Sequence, residues 1–219
     1  MICNSLKICL IQLLVLNISA HEITNRIVGG QNALQGQFPY QVSWCVGHLF
    51  YCQIFCGGSI YNENTIITAA HCCDGMNHFM AQHGITWKDV RIIAGELNIL
   101  QISGFEQSRK VQSYVIHPSY NSGSFQHDIC LLTLDSPLRF NPFVNRIPLD
   151  TQGPVPGTKC QVSGWGDQKD HGGSYPVNLQ WTEVSIRLEK DCHRAYNNPY
   201  YGYNSSVMLC ASAPVSVHH

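Results

Sequence analysis

Charged residues are scarce in this chain, and no stretch concentrates charge of one sign. The 219 residues include 13 Lys and Arg and 14 Asp and Glu, which gives a formal net charge of −1 and a charged fraction of 12%. The missing basic stripe argues against nucleic acid as a partner. After residue 20 no apolar run is long enough to span a bilayer, so no membrane anchor is expected there. This length suits one large β domain or two small ones.

The apolar run at the N-terminus is short, whereas cysteine is abundant. Ile8–Leu16 is followed by small residues at Ser19–Ala20. This pattern predicts a secretory signal peptide over residues 1–20, because the run is too short to cross a membrane. Eleven cysteines also favour an oxidising compartment, so we expect a secreted protein. Loss of Cys3 and Cys9 with the signal would leave an odd number of cysteines.

A candidate processing site follows the signal. Arg26 precedes the apolar–apolar–glycine–glycine run Ile27–Gly30. This order indicates removal of an activation peptide, residues 21–26, by an activating protease. The freed amine of Ile27 would then be a mobile cation on a glycine hinge, able to bind a buried carboxylate. An ordinary loop leading into the first strand fits the same residues equally well.

Short β-type runs separated by turn residues make up most of the remaining chain. The clearest runs are 41–44, 65–68, 90–94, 110–116 and 129–134. The Gly, Pro and Asn clusters between them predict an all-β barrel or sandwich. Helical periodicity is weak throughout, apart from a short helix expected near the end of 185–196. Prolines crowd between residues 141 and 157, which predicts a linker between two β units, 27–150 and 151–219.

A histidine and an aspartate are the candidate chemical groups. His71 lies in Thr68–Cys72, and a bond between Cys56 and Cys72 would hold its imidazole in one place, as a general base requires. Asp128 lies at the mouth of an apolar strand, where a histidine donating to it would be oriented and made more basic. Taken alone, a core histidine and a loop-capping aspartate are the better interpretations. Together, and in this order, the two residues are far more specific.

Several motifs occur in a fixed order between Ile27 and Cys210. They are Arg26–Gly30, Cys56–Ser59, Thr68–Cys72, His117–Asn121, Asp128–Ile129 and Ser163–Gly166. With these motifs the sequence resembles the trypsin/chymotrypsin family of secreted serine endopeptidases, and the trypsins most of all. The resemblance implies two antiparallel six-stranded β-barrels, an active site in the cleft between them, and hydrolysis of peptide bonds in proteins by a monomer.

The same resemblance assigns roles to individual residues. His71 takes the role of general base and acid, and Asp128 that of the carboxylate that orients it and stabilises the imidazolium. Phe125 falls where the family forms the wall of the pocket next to the scissile bond. A preference for lysine or arginine is suggested only by the overall similarity to trypsins.

One part of the family pattern is absent from these residues. The family's nucleophile is a serine in a Gly-Asp-Ser-Gly-Gly loop, about a dozen residues past the cysteine that matches Cys210. The 219 residues end nine residues past Cys210 without that motif, and neither Ser212 nor Ser216 has the glycine-rich turn that builds an oxyanion hole. We therefore expect an incomplete second barrel over 151–219 and no effective catalysis by the chain as written. The alternative is a non-catalytic secreted homologue that binds other proteins or acts as a decoy.

The resemblance also implies two disulfides. They join Cys56 to Cys72 and Cys192 to Cys210. The family partner of Cys160 lies past the nucleophile, so Cys160 is expected to be without a partner in this chain.

Four further cysteines have no family pairing. Cys45 and Cys52 lie close enough to pair across a hairpin. Cys130 stands in an apolar strand, which predicts a small core residue. Cys73 is expected to be a free thiol or an intermolecular link.

One loop has the spacing of the trypsin calcium loop. Carboxylates of Glu96 and Glu106, with backbone carbonyls of Asn98 and Gln101, would supply four of the oxygens that calcium prefers. Ser103 stands where the family has another carboxylate, so the site would be weak. A solvated loop with two glutamates is the alternative. No cofactor is otherwise expected.

Overall fold

Two compact units make up the chain. The computed structural model describes residues 2–3, 7–8, 14–15, 30–48, 51–153, 155–168, 175–196 and 202–213. The barrel unit comprises Ala33–Ile147 with Val177–Leu179, and the second unit comprises Met1–Asn32, Pro148–Pro176 and Gln180–His219.

Strands dominate the described residues. They are β1 (Ile2–Cys3), β2 (Lys7–Ile8), β3 (Leu14–Val15), β4 (Gln31–Asn32), β5 (Gln41–His48), β6 (Tyr51–Asn62), β7 (Thr65–Thr68), β8 (Val90–Ala94), β9 (Gln107–Ile116), β10 (Cys130–Leu134), β11 (Lys159–Gly164), β12 (Gln180–Ile186) and β13 (Cys210–Ser212). Two α-helices, α1 (Ala70–His83) and α2 (Glu189–Ala195), and a 3₁₀ turn at Trp87–Asp89 accompany them. The expected all-β class is confirmed.

The barrel unit contains a closed barrel of six antiparallel strands. Its order is β10-β7-β6-β5-β8-β9, with β9 pairing back to β10. In β10 the side chains alternate, as the period of a strand requires: Cys130, Leu132 and Leu134 are buried whereas Leu131 is exposed. Fully buried core side chains include Val42, Trp44, Ile60, Ile66, Ile92 and Leu132.

Gly58 permits a close approach of strands inside this barrel. A Cβ at this position would lie 2.9 Å from Ile66 Cγ2, 3.0 Å from the Ile67 carbonyl oxygen and 3.2 Å from Val42 Cγ2. Backbone and β-branched side chains occupy that space, and they have little freedom to move away. The barrel therefore requires glycine at this point of β6.

The 14-residue helix α1 was not expected from the sequence, which shows little helical periodicity. Cys73, Met76 and Met80 form its buried stripe, and Gly84 ends it in the left-handed conformation at φ 67°. Poor helix formers such as Gly75 and Asn77 lie between the stripe residues and hide the pattern. Tertiary packing of the stripe outweighs those local preferences.

The second unit is built on a seven-stranded sheet. Its order is β2-β1-β11-β12-β13-β3, with β4 paired to β12, and among the described strands no pairing joins the two ends of this order. A small core cluster lies against it: Cys160, Val184, Ile186, Leu209 and Ala211. Helix α2 follows β12, as the pattern at 185–196 predicts. Neither helix of the described residues has the length and apolar character needed to cross a bilayer.

Gly58→Ala should lower the free energy of unfolding by about 2 kcal/mol, since overpacking of a rigid core has that order of cost. Urea denaturation of the variant measures this. Gly57→Ala is the matched control, because its nearest neighbour is the Gln41 side-chain nitrogen at 3.2 Å, which can move. An equal loss in the two variants would contradict the packing argument.

Candidate active site

His71 lies in the first turn of α1, three residues after β7 ends at Thr68. The N-terminal residue before the helix, Ala69, has no side chain that can cap it. The free backbone N–H groups of this first turn therefore need an acceptor from elsewhere in the fold.

Asp128 supplies that acceptor from the segment before β10, whose first residue, Cys130, pairs with Thr68 at the end of β7. It lies between His127 and Ile129, and the Ile129 N–H donates to the His127 carbonyl over 2.8 Å, so Asp128 is the central residue of a tight turn. Phe125 and His127 both have positive φ, 54° and 53°. This is an uncommon backbone for residues with a Cβ, and it aims the Asp128 side chain at α1.

One carboxylate binds both the helix and the imidazole. Asp128 Oδ1 accepts the backbone N–H of His71 over 2.7 Å, and Asp128 Oδ2 lies 2.7 Å from His71 Nδ1. The Asp128 side chain is 2% exposed and the His71 side chain 25%. Because a carboxylate only accepts, Nδ1 carries the proton and the lone pair of the neutral ring is on Nε2. This arrangement can take a proton from a nearby alcohol.

Two aromatic side chains accompany this pair. Phe125 meets the His71 ring edge-on, with centroids 6.1 Å apart and planes at 85°. Burial, followed by the negative charges of Asp128 and Asp74, raises the pKa of Tyr120 to about 12. Tyr120 therefore keeps its proton at neutral pH.

Each unit contains a described disulfide next to a helix, and that of the barrel unit lies beside His71. Cys72 in α1 is bonded to Cys56 in β6. Their two sulfurs and the His71 ring nitrogens come close together, but bonded sulfurs are not thiolates and do not offer a metal site. In the second unit, Cys192 of α2 is bonded to Cys210 of β13.

Two cysteine expectations are wrong, those for Cys73 and Cys160, and a third is incomplete, since Cys130 is a buried core residue as predicted but is also disulfide-bonded. Cys73 is bonded to Cys130, so Cys73 is neither a free thiol nor an intermolecular link and Cys130 is more than a core filler. The start of α1 packs against the start of β10, which sets the two Cα atoms 6.7 Å apart, within the span of a disulfide. Cys160 is also disulfide-bonded and is not without a partner; the pairing of β1 with β11 sets Cys3 opposite it in register.

Other predicted residues are placed less completely. Cys45 of β5 is disulfide-bonded, whereas the side chain of Cys52 lies outside the described residues, so the predicted pairing of the two stays a prediction. The processing site Arg26–Ile27 and Ser216 also lie outside them. Ser212 ends β13, and its hydroxyl donates to the Ala213 carbonyl over 3.1 Å.

Glu96 stands out in the candidate calcium loop. Its Oε1 is buried without a hydrogen-bond partner among the described residues. Burial, followed by the negative charge of Glu106, raises the pKa of Glu96 to about 7, against the opposing effect of the Leu97 and Asn98 N–H groups. A buried carboxylate oxygen of this kind is one that a bound cation would stabilise.

The other candidate ligands are partly engaged. Glu106 Oε1 accepts the Ser103 hydroxyl over 2.6 Å and the Ser103 N–H over 2.8 Å, and Oε2 accepts the Gly104 N–H over 2.9 Å. Burial opposes ionisation of Glu106, but these hydrogen bonds outweigh it and lower its pKa. The Asn98 carbonyl accepts the Gln101 N–H over 2.9 Å. Carboxylate and carbonyl oxygens are suitable ligands for a cation. The Glu106 carboxylate and the Asn98 carbonyl, however, already accept hydrogen bonds from the loop and would have to accept them and bind the cation together.

The closed barrel and the His–Asp pair beside a bonded Cys-Gly-Gly segment are those of a trypsin-like serine protease. The family model described as "Trypsin" matches residues 27–218, so this chain belongs to the trypsin family. It is 34% identical to "Serine protease 1" of Canis lupus familiaris, over 85% of this chain and 67% of that protein. It is 34% identical to "Cationic trypsin-3" of Rattus norvegicus, over 85% of this chain and 66% of that protein, and 36% identical to "Trypsin-1" of Astacus astacus, over 86% and 75%. The matched segment thus spans about two thirds of the two mammalian relatives.

Asp128→Asn should lower the free energy of unfolding by about 2 kcal/mol, because it takes the charge from a buried acceptor with two charge-assisted hydrogen bonds. The short hydrogen bond between His71 Nδ1 and the Asp128 carboxylate predicts a low-field proton resonance, which the substitution should abolish. Urea denaturation and ¹H NMR measure the two effects. Asp74→Asn is the control, since its 3.8 Å pair with His78 is solvent-exposed and should be worth less than about 0.5 kcal/mol. A change no larger than the control's would contradict the capping role.

Proposed function

We propose that the site serves hydrolysis of peptide bonds in proteins by a serine endopeptidase mechanism. The observation that carries this proposal is the doubly bonded Asp128, which fixes the proton of His71 on Nδ1 and leaves Nε2 as the base. In the proposed reaction Nε2 takes the proton of a serine hydroxyl as that oxygen attacks the scissile carbonyl. His71 then gives the proton to the leaving amine, which leaves the acyl group on the serine, while Asp128 holds the ring and stabilises its charged form. A water molecule then attacks that ester as Nε2 takes its proton, and return of the proton to the serine oxygen releases the carboxylic acid and restores the hydroxyl.

The described residues supply the base and its orienting partner. The Gly-Asp-Ser-Gly motif that carries the family's nucleophile does not occur in the 219 residues. We therefore propose that this chain by itself is not catalytically competent, since loss of the nucleophile reduces such a reaction by several orders of magnitude. A binding or decoy role for a homologue without turnover is the second candidate.

The disulfides of the described residues support an extracellular site of action, because such bonds persist in oxidising surroundings. We propose activation by a second protease at the Arg26–Ile27 bond. Release of the Ile27 amine would give the chain the N-terminal cation that a zymogen of this type requires.

We further propose that the loop from Glu96 to Glu106 binds calcium weakly. Support comes from the unpartnered Glu96 oxygen and the raised pKa of its carboxyl. Glu96 and Glu106, with the carbonyls of Asn98 and Gln101, would hold the ion, which would neutralise two like charges and stabilise the loop.

A fluorophosphonate probe should not label the 219-residue chain, because the probe reacts with an activated serine. An active trypsin labelled in parallel is the positive control, and labelling of this chain would overturn the statement that it is not competent. The protein purified from its own source tests the endopeptidase proposal with the same probe. Labelling there that a serine-protease inhibitor blocks supports it, whereas no labelling favours the binding homologue.

Glu96→Gln should stabilise the calcium-free chain at pH 8. The folded-state pKa of about 7 lies above the ordinary value of 4.5, so the stabilising contribution of this group is present below about pH 4.5 and is lost as pH rises through about 7. After allowance for solvent screening the gain is about 1 kcal/mol. Thermal melts at pH 4.5 and 8 measure it.

Two controls accompany the Glu96 experiment. Glu106→Gln should have the opposite sign at pH 8, because the folded state lowers the pKa of Glu106. Added calcium should raise the melting temperature of the unsubstituted chain and not that of Glu96→Gln. An equal rise in the two proteins would count against the site.

A further inference from the structure

Three consecutive residues at the start of α1 are each attached to a different residue elsewhere in the barrel unit. His71 binds Asp128 through its backbone and its ring. Cys72 is bonded to Cys56 in β6, and Cys73 is bonded to Cys130 in β10. Successive helical residues point about 100° apart, so these attachments leave the helix in three directions.

The third attachment repeats the spacing of the functional pair. Cys73 lies two residues after His71, and Cys130 lies two residues after Asp128, so both pairs are separated by 57 residues. The disulfide thus joins the same two segments that carry the imidazole and the carboxylate. Both cysteines are completely buried, which places the bond in the packed interior.

The segment that carries Asp128 has little regular structure of its own to hold it. Residues 125 and 127 have left-handed backbone, and regular strand pairing of β10 with β7 and β9 begins only at Cys130. The disulfide therefore fixes the first residue at which that segment enters the barrel. On the other side it fixes α1 one residue past the Cys56–Cys72 bond.

We infer that the Cys73–Cys130 disulfide is a positioning element for the His71–Asp128 pair. It limits sliding or rotation of α1 against the turn at residues 127–129, so both hydrogen bonds to Asp128 keep their geometry. A displacement of about 1 Å at such a site is enough to cost about a hundredfold in rate. The inference rests on the proposed function for its catalytic meaning, although the positioning itself is a property of the fold.

Amide hydrogen exchange of the full chain, followed by NMR, tests this inference. The variant carries Cys73→Ala and Cys130→Val. The exchange rate of the His71 amide, which donates to Asp128, should rise relative to the unsubstituted chain. This rise should be at least ten times the rise in the exchange rate of the Gly84 amide. The Gly84 amide donates to Met80 at the far end of the same helix, so it reports general loss of helix stability. The low-field His71 Nδ1 proton should broaden as well.

The matched control carries Cys192→Ala and Cys210→Val, which remove a disulfide of the second unit. It should leave the His71 to Gly84 ratio unchanged. Equal acceleration of the two amides in the Cys73 and Cys130 variant would overturn the inference and leave a purely structural bond. If this variant and a second one, Cys73→Ser with Cys130→Ala, both fail to fold, the bond is a requirement of the barrel and the inference is likewise overturned. No step uses a substrate or a nucleophile, so failure of the endopeptidase proposal would not produce any of these outcomes.

Discussion

The barrel unit depends on one buried carboxylate that makes two hydrogen bonds to the same residue. Asp128 accepts the backbone N–H of His71, and so caps a helix whose own preceding residue, Ala69, cannot do so. It also accepts from the ring, and so sets the tautomer. The position of the helix start and the orientation of the imidazole are therefore coupled, because both hydrogen bonds end on the same carboxylate and a shift of that carboxylate changes both.

Several strands and the His71–Asp128 pair can be predicted from the sequence, for physical reasons. Thr-Ile-Ile-Thr is a β-branched run bounded by turn residues, and β7 spans these same four positions, 65–68. Short β-type runs between turn residues likewise predict β8 and β10 to within a residue. The pair at 71 and 128 is found because a base needs a fixed ring and a buried carboxylate needs a donor.

Other features depend on distances between segments, which a sequence does not display. Helix α1 carries Gly75 and Asn77 in its interior and is stabilised by burial of Cys73, Met76 and Met80, so local preference is a poor guide to it. The Cys73–Cys130 bond joins residues far apart in sequence. The sequence offers one signal for this bond, a cysteine two residues after His71 and another two residues after Asp128. That signal predicts a disulfide only if His71 and Asp128 are already known to be in contact.

The double role of Asp128 has an evolutionary consequence. A descendant of this family that stops cutting proteins still loses a helix cap if this aspartate changes, so selection for a folded barrel alone is enough to keep it. Retention of the acidic residue in a relative is therefore no evidence of turnover. The residue at position 71 is more informative about catalysis. The helix cap uses only the backbone N–H of this residue, so other side chains can replace the imidazole once catalysis is no longer under selection.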